Sequence, residues 1–241
     1  MGSVLFFRSK HYLFLKRKFD LKVYLIRHGE TDWNSVRKLQ GQTDIRLNDY
    51  GIELARLTAE GLKDVEFDYV YSSPLIRAVE TAEIIMGDRE LEIHTDDRIK
   101  EINFGECEGI IIPRRKDGPI NPIWQFEFDT EHYVPAKGGE TFSQMYERTS
   151  DFFDNEILPL EGHYNNVMIV GHGCMNRTIL NRILDTPLKD FWDIRLDNCS
   201  VSIIEIVNGK ASVIEKSMKF YERVKPPADA VLDADAKSIY G

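Results

Sequence analysis

Three short apolar runs, each stopping at polar residues of the same kind, constrain this chain more than anything else in it. Val23-Tyr24-Leu25-Ile26 runs into Arg27-His28-Gly29, Asn166 to Val170 into Gly171-His172-Gly173, and Phe67 to Tyr71 into Ser72-Ser73-Pro74-Leu75-Ile76-Arg77. Short apolar runs bounded by turn residues read as strands buried on both faces, as in parallel sheets. A strand that ends at a glycine-containing turn leaves its last side chains facing the crevice where open α/β sheets bind ligands. A single histidine after a strand reads best as a satisfied core residue, and a single arginine as surface charge. Repetition reverses that reading. Three strands deliver His28, Arg77 and His172, together with Arg27, to one edge of a sheet. Guanidinium groups beside imidazoles suit an oxyanion, above all a phosphoryl group.

The chain's 241 residues suffice for one α/β domain with a sizeable core. A formal charge of −9, with no long Lys/Arg stripe, excludes a general nucleic-acid binder. An acidic chain that gathers arginines in one crevice is using local positive potential for a small anion. Cys107, Cys174 and Cys199 are too few and too scattered for a disulfide framework, which points to a reducing compartment. No apolar stretch approaches transmembrane length, so a cytoplasmic protein without stable membrane association is expected.

The remaining elements follow in order. Val4 to Phe7 and Tyr12 to Leu15 are apolar, but Arg8, Lys10, Lys16, Arg17 and Lys18 interrupt the continuous run a signal peptide requires. Residues 1–21 therefore read as an extension without catalytic role, with a basic membrane-surface helix as the weaker reading. Thr31 or Asp32 can cap a short helix after the first strand. A helix is expected from Ile52 to Leu62, with Leu54, Leu57 and Leu62 as core contacts. Pro74 is placed in the first turn of the next helix, where its missing N–H costs little, and Ala78, Ala82, Ile85 and Met86 pack on the sheet. Arg77 lies near that helix's N-terminus, which also favours an anion. Leu91 to Thr95 is a short strand. Residues 110–139, broken by Pro113, Pro119, Pro122 and Pro135 and carrying Trp124, Phe126, Phe128 and Tyr133, read as an irregular lid over the crevice. A long helix from Gly138-Gly139-Glu140-Thr141 to Leu158 follows, with Phe142, Met145, Phe152 and Phe153 as its stripe. Met175 to Leu184 and 188–194 are helical, and Asn208-Gly209 joins two strands in a tight hairpin. From Lys225 onward the composition is that of a loosely held tail.

Three pieces, in this order and spacing, resemble the histidine phosphatase superfamily, also called phosphoglycerate-mutase-like. They are Leu25-Ile26-Arg27-His28-Gly29-Glu30-Thr31-Asp32-Trp33-Asn34, Ser72-Ser73-Pro74-Leu75-Ile76-Arg77-Ala78 with Thr81-Ala82, and Val170-Gly171-His172-Gly173. The resemblance covers roughly residues 22–216. It implies a three-layer α/β/α fold with a mostly parallel central sheet and a lid insertion at about 106–139, in a domain spanning 22–224. It also implies a phosphohistidine mechanism on a small phosphorylated metabolite, without metal or other cofactor. His28 would be the nucleophile. Arg27, Arg77 and His172, joined by Asn34, Gln40 and Gly173, would hold the phosphoryl oxygens. Glu101 is singled out because Glu101-x-x-Phe104-Gly105-x-x-Glu108-Gly109 resembles the phosphatase branch, where the first Glu is the proton donor. Cys107 departs from that pattern, which usually has Trp there.

Two look-alikes fail. Gly171-His172-Gly173 begins like a dinucleotide fingerprint, but Asn176 occupies the third glycine position and the motif lies late in the chain. A zinc site from His28, His172 and Cys174 would sit among arginines that repel a dication. A cofactor-dependent mutase is the runner-up, disfavoured by Phe104-Gly105 and by Asn198-Cys199-Ser200-Val201-Ser202. A noncatalytic phosphate-binding module is disfavoured by the complete set Arg27, His28, Arg77, Glu101 and His172. A homodimer is left open. The basic triplet Arg114-Arg115-Lys116 is either a solvated loop tip or a contact for a second anionic group on the substrate.

Overall fold

A computed structural model describes residues 20–112 and 121–222. The expectations for the N-terminal extension, the C-terminal tail and the basic triplet therefore fall largely or wholly outside the described residues. Asp20 and Leu21 are the exception: Leu21 already belongs to the first strand and is buried, so the domain begins inside the stretch read as an extension.

Among the described residues six strands form one sheet: β1 Leu21–Arg27, β2 Tyr69–Ser72, β3 Ile93–Thr95, β4 Asn166–Gly171, β5 Val201–Val207 and β6 Lys210–Met218, in the order β3-β2-β4-β1-β5-β6. β1 pairs parallel with β4, and β2 parallel with β4 and β3, while β5 and β6 run antiparallel. Among the described residues the α-helices are α1 Asp32–Ser35, α2 Asp49–Gly61, α3 Ile76–Met86, α4 Pro122–Phe128, α5 Phe142–Phe152 and α6 Gly173–Ile183.

Alternation along the strands divides the core. Val23, Leu25, Val167 and Ile169 face Phe152, Met175, Ile179 and Leu180 of α5 and α6. Tyr24, Ile26, Met168 and Val170 face Ala78, Ala82, Ile85 and Met86 of α3, with Leu62 beyond the end of α2. Both faces are thus covered by helices, which is why these strands read as continuous apolar runs. The chain leaves β1 toward the α2–α3 face and leaves β4 toward the α5–α6 face. That divergence opens a crevice at the carboxyl ends of β1 and β4.

Several local expectations need correction. Leu57 is 38% exposed, because the buried stripe of α2 is Gly51, Leu54, Ala55 and Thr58 and Leu57 projects to its side. Pro74 lies before α3; Leu75 is the N-cap, and the Asp44 carboxylate accepts from the Ile76 N–H at 2.7 Å. The long helix ends at Phe152 and continues as a wider π-type turn, Phe153–Ile157, with Phe152 and Phe153 both buried as expected. The helix expected at 188–194 is only a short turn, Leu188–Asp190. The hairpin is as expected: Asn208 and Gly209 both have positive φ, and Val207 pairs with Lys210.

The lid stretch is more regular than its prolines suggest. Pro122 starts α4 rather than breaking it, since the first helical position has no use for an N–H, and Asn121 caps the helix by accepting from Trp124 N at 2.9 Å. Phe126 then sits among Phe104, Tyr133, Phe142 and Trp192, with ring centroids 4.7–5.6 Å apart. No helix among the described residues is long and apolar enough to cross a membrane.

Phe126 is 2% exposed at the centre of this cluster. Phe126→Ala should therefore destabilise the protein by about 3–5 kcal/mol, read as a lowered midpoint in denaturant unfolding. An unchanged midpoint would mean that α4 is not anchored by its aromatic face.

Candidate active site

The crevice is built on one register. Arg27 of β1 lies opposite Gly171 of β4, and the His28 N–H donates to the Gly171 carbonyl at 2.9 Å. The next residue of each strand is therefore a histidine. The two rings lie 5.1 Å apart between centroids, and both are buried, 2% and 0% exposed. His28 Nδ1 is 2.6 Å from the Gly29 carbonyl. A carbonyl only accepts, so Nδ1 carries the hydrogen and the Nε2 lone pair is free. The turn that supplies this carbonyl is itself pinned. Gly29 N donates to Thr81 Oγ1 at 2.9 Å, and Asn198 Nδ2 donates to the His28 and Gly29 carbonyls at 3.0 and 3.2 Å.

Two guanidinium groups border the rings. Arg27 ends β1 and donates from Nη1 to the Leu196 carbonyl at 2.6 Å. Arg77, on the first turn of α3, is fully buried and donates from Nη1 to the Thr43 carbonyl at 3.0 Å and from Nη2 to the Gly41 carbonyl at 2.7 Å. The Nε atoms of both arginines and both ring nitrogens of His172 are buried without a hydrogen-bond partner among the described residues. Burial lowers the proton affinity of His28 and His172 well below the usual histidine value, and the Arg77 and Arg27 charges push in the same direction. Burial also lowers Arg77 to about 10, against the opposing pull of Glu101, Asp44 and Glu108. At neutral pH the site thus holds two neutral imidazoles beside guanidinium charge.

The carboxylate of Glu101 closes the site from the other side. It accepts from Cys174 N at 3.2 Å and Met175 N at 3.1 Å, and so caps α6 in place of its N-cap His172, whose side chain makes no capping bond. Its backbone is held by Arg148 of α5, which donates to the Lys100 and Glu101 carbonyls at 2.7 and 3.2 Å while paired with Glu140. Gly173 marks the meeting point. A Cβ added there would lie 3.4 Å from Arg177 Nη1, 3.6 Å from Glu101 Oε2 and 3.7 Å from Arg27 Nε.

Asn34 and Gln40 flank the turn after His28. Asn34 Oδ1 accepts from Thr31 N at 3.1 Å within a capping box, and Gln40 Oε1 accepts from Thr31 Oγ1 at 2.9 Å. With each oxygen used locally, the amide N–H2 ends are the donors left for a ligand. Three further residues belong to the site and were not foreseen. Arg177 is buried, donates to the Gly173 and Ile194 carbonyls at 2.8 and 2.9 Å and lies over the Trp192 ring; its signal was a cation four residues past Gly173 on one helical face. Asn198 holds the His28 turn from across 170 positions, and Glu108 holds the loop under Arg77; neither carries a local signal for that role. Burial and then the Glu101 charge push the Cys174 thiol well above its usual range. Among the described residues no three His, Cys, Asp or Glu side chains gather as a metal-ligand group.

The sequence profile of the histidine phosphatase superfamily (branch 1) matches residues 23–218. The chain belongs to that superfamily. As a member it is a phosphatase enzyme with the phosphoglycerate-mutase-like α/β fold. It is 32% identical to phosphoserine phosphatase 1 of Hydrogenobacter thermophilus over 187 residues, covering 77% of this chain and 87% of that one. It is 31% identical to phosphoglycerate mutase-like protein 4 of Arabidopsis thaliana over 199 residues, covering 80% and 83%. Among solved structures, YhfR of Bacillus stearothermophilus superposes with a TM-score of 0.77 at 34% identity, covering 84% of this chain and all of that one.

Gly173→Ala separates folding from function in this superfamily member. Contacts of 3.4–3.7 Å are ordinary van der Waals distances, and Ala suits a helix better than Gly, so thermal stability should hold or rise. The methyl would fill the space between Glu101, Arg27 and Arg177, and kcat/KM for an aryl phosphate should fall by at least about 10-fold. Unchanged activity would place the reacting group elsewhere.

The neutral histidines also tie stability to pH. In the native state His28 and His172 take up protons only well below 6.5, whereas the unfolded chain takes them up near 6.5. Stability should therefore be full above that pH and fall below it, by about 1.4 kcal/mol per pH unit per ring. Denaturant unfolding between pH 7 and 5 should give wild type the steeper loss and His28→Asn a shallower one. Parallel losses would show that His28 titrates as if exposed.

Proposed function

We propose that this enzyme hydrolyses a phosphomonoester of a small metabolite through a phosphohistidine on His28, with no metal taking part. One observation carries the reading. His28 spends Nδ1 on the Gly29 carbonyl, while the unpartnered nitrogens of Arg27, Arg77 and His172 lie buried in the same crevice. His28 Nε2 attacks phosphorus as the P–O bond to the leaving group breaks, and Glu101 delivers its proton to the departing alkoxide. The carboxylate then takes a proton from water, whose oxygen attacks the phosphohistidine, freeing phosphate and restoring His28. Arg27, Arg77, His172, Asn34, Gln40 and the Gly173 N–H hold the equatorial oxygens, whose charge grows as the P–O bond loosens. A preorganised donor of this kind is commonly worth about 10²–10³ in rate.

Water as the acceptor is supported by the Glu101-to-Gly109 stretch and by the phosphoserine phosphatase among the relatives. The mutase-like relative keeps return to a second hydroxyl as the weaker reading.

Rapid quenching with a ³²P-labelled phosphomonoester, in the presence of EDTA, should trap acid-labile label on His28. His28→Asn should neither label nor turn over. Label on Ser73, or turnover in EDTA that only zinc or magnesium restores, would overturn the mechanism.

A further inference from the structure

Arg77 is the most deeply buried charge in the crevice, yet it has no ion pair among the described residues. Its two Nη atoms are held by backbone carbonyls of the loop after Gln40, those of Gly41 and Thr43. A loop carbonyl is a poor anchor unless something fixes the peptide plane that bears it, since loops are where backbone motion concentrates. Here that plane is fixed from its other side. The Gly41 carbonyl and the Gln42 N–H belong to one planar trans peptide and point in opposite directions. Arg77 donates to the carbonyl at 2.7 Å, and Glu108 Oε1 accepts from the N–H at 2.8 Å.

The second Glu108 oxygen holds the residue that bears the other carbonyl, through its N–H and hydroxyl rather than through the same peptide plane. Oε2 accepts from Thr43 N at 2.8 Å and from the Thr43 hydroxyl, and the Thr43 carbonyl receives Arg77 Nη1. Glu108 Oε1 also accepts from Phe104 N at 3.3 Å, which ties the carboxylate to its own turn. The chain shows what this grip requires. Gly41 has φ +53°, and a Cβ there would lie 2.0 Å from Glu108 Oε1, so only glycine allows the carboxylate so close. A carboxylate on the N–H side polarises the peptide and strengthens its carbonyl as an acceptor for the guanidinium.

We propose that Glu108 is a positioning residue: by clamping the Gly41–Gln42 peptide and Thr43 it sets the orientation in which Arg77 meets the substrate's phosphoryl group. The inference rests on the phosphoryl-transfer reading of the crevice. Glu108 touches no reacting atom and acts only through Arg77. Glu108→Gln keeps the shape but puts an N–H2 where Gln42 N–H or the Thr43 donors now point, so one half of the clamp fails.

The test is a double-substitution cycle on the full chain, with Glu108→Gln, Arg77→Gln and the pair. It reads kcat/KM for para-nitrophenyl phosphate and inhibition by orthovanadate, a mimic of the pentacoordinate phosphoryl group. Glu108→Gln should lower kcat/KM and weaken vanadate inhibition in parallel, each by about 10- to 100-fold, as a displaced catalytic cation does. In the Arg77→Gln background the same change should cost less than about 2-fold, because the group it orients is gone. Equal losses in both backgrounds, or no loss in wild type, would overturn the proposal and make Glu108 general scaffolding. Full activity in Arg77→Gln alone would instead overturn the phosphoryl reading, and this inference with it. Should Glu108→Gln fail to fold, Thr43→Val, which removes one donor to Oε2, carries the same cycle and the same outcomes.

Discussion

Two parallel strands that end level with each other are the constraint on which everything else rests. The register that pairs Arg27 with Gly171 also alternates Val23 and Leu25 toward one helical layer and Tyr24 and Ile26 toward the other. A slip of one residue would invert both core faces and separate the two histidines. The core and the site are therefore set by the same choice, and the burial that stabilises the sheet also holds His28 beside His172.

The second constraint is how charge is disposed once it is buried. Arg27, Arg77 and Arg177 are all anchored by backbone carbonyls, with Nε of Arg27 and of Arg77 left unpartnered, and none has a carboxylate ion pair among the described residues. The carboxylates near them, Glu101 and Glu108, are satisfied by backbone N–H groups instead. Elsewhere the chain does the ordinary thing: Arg98 pairs with Asp96, Arg148 with Glu140 and Arg182 with Asp154. Direct ion pairs inside the crevice would neutralise the guanidinium groups and remove their hold on an incoming anion. Routing each charge to the backbone leaves the positive potential intact at a desolvation cost that carbonyl dipoles partly offset. This is how a chain of net charge −9 keeps a cationic crevice.

The strands and the residues at their ends were legible in the sequence, because burial on both faces and abrupt turns leave a local pattern. Arg27, His28, Arg77 and His172 were readable for that reason, and the structure brings them together. Glu101 was readable only by family resemblance, since nothing distinguishes its carboxylate locally from Glu106 or Glu108. The Glu108 clamp was not legible, because it consists of backbone donors 65 and 66 positions away. Nor was α4: prolines counted as breakers, yet a proline at the first helical position is an initiator, and only the cap Asn121 distinguishes the two. Phe152 and Phe153 were legible in part. Both are buried as expected, but the α-helix ends between them, and the wider turn that starts at Phe153 has no simple sequence signature.

The described part of the lid bears on how the Glu101 carboxylate is kept in place. Cys107 stands where the related pattern usually carries Trp, and it packs with Tyr133 at the margin of the aromatic cluster that anchors α4. That cluster reaches Trp192, whose indole N–H donates to the Phe126 carbonyl at 3.0 Å and whose ring lies under Arg177. Arg177 in turn donates to the Gly173 carbonyl, at the helix terminus where Cys174 and Met175 hold the Glu101 carboxylate. The aromatic cluster and Glu101 thus share a support, and the Glu101 carboxylate stays fixed by backbone N–H groups that no side-chain exchange in the cluster can remove. The position of the Glu101 carboxylate is thereby insulated from the side chains of the aromatic cluster beyond it.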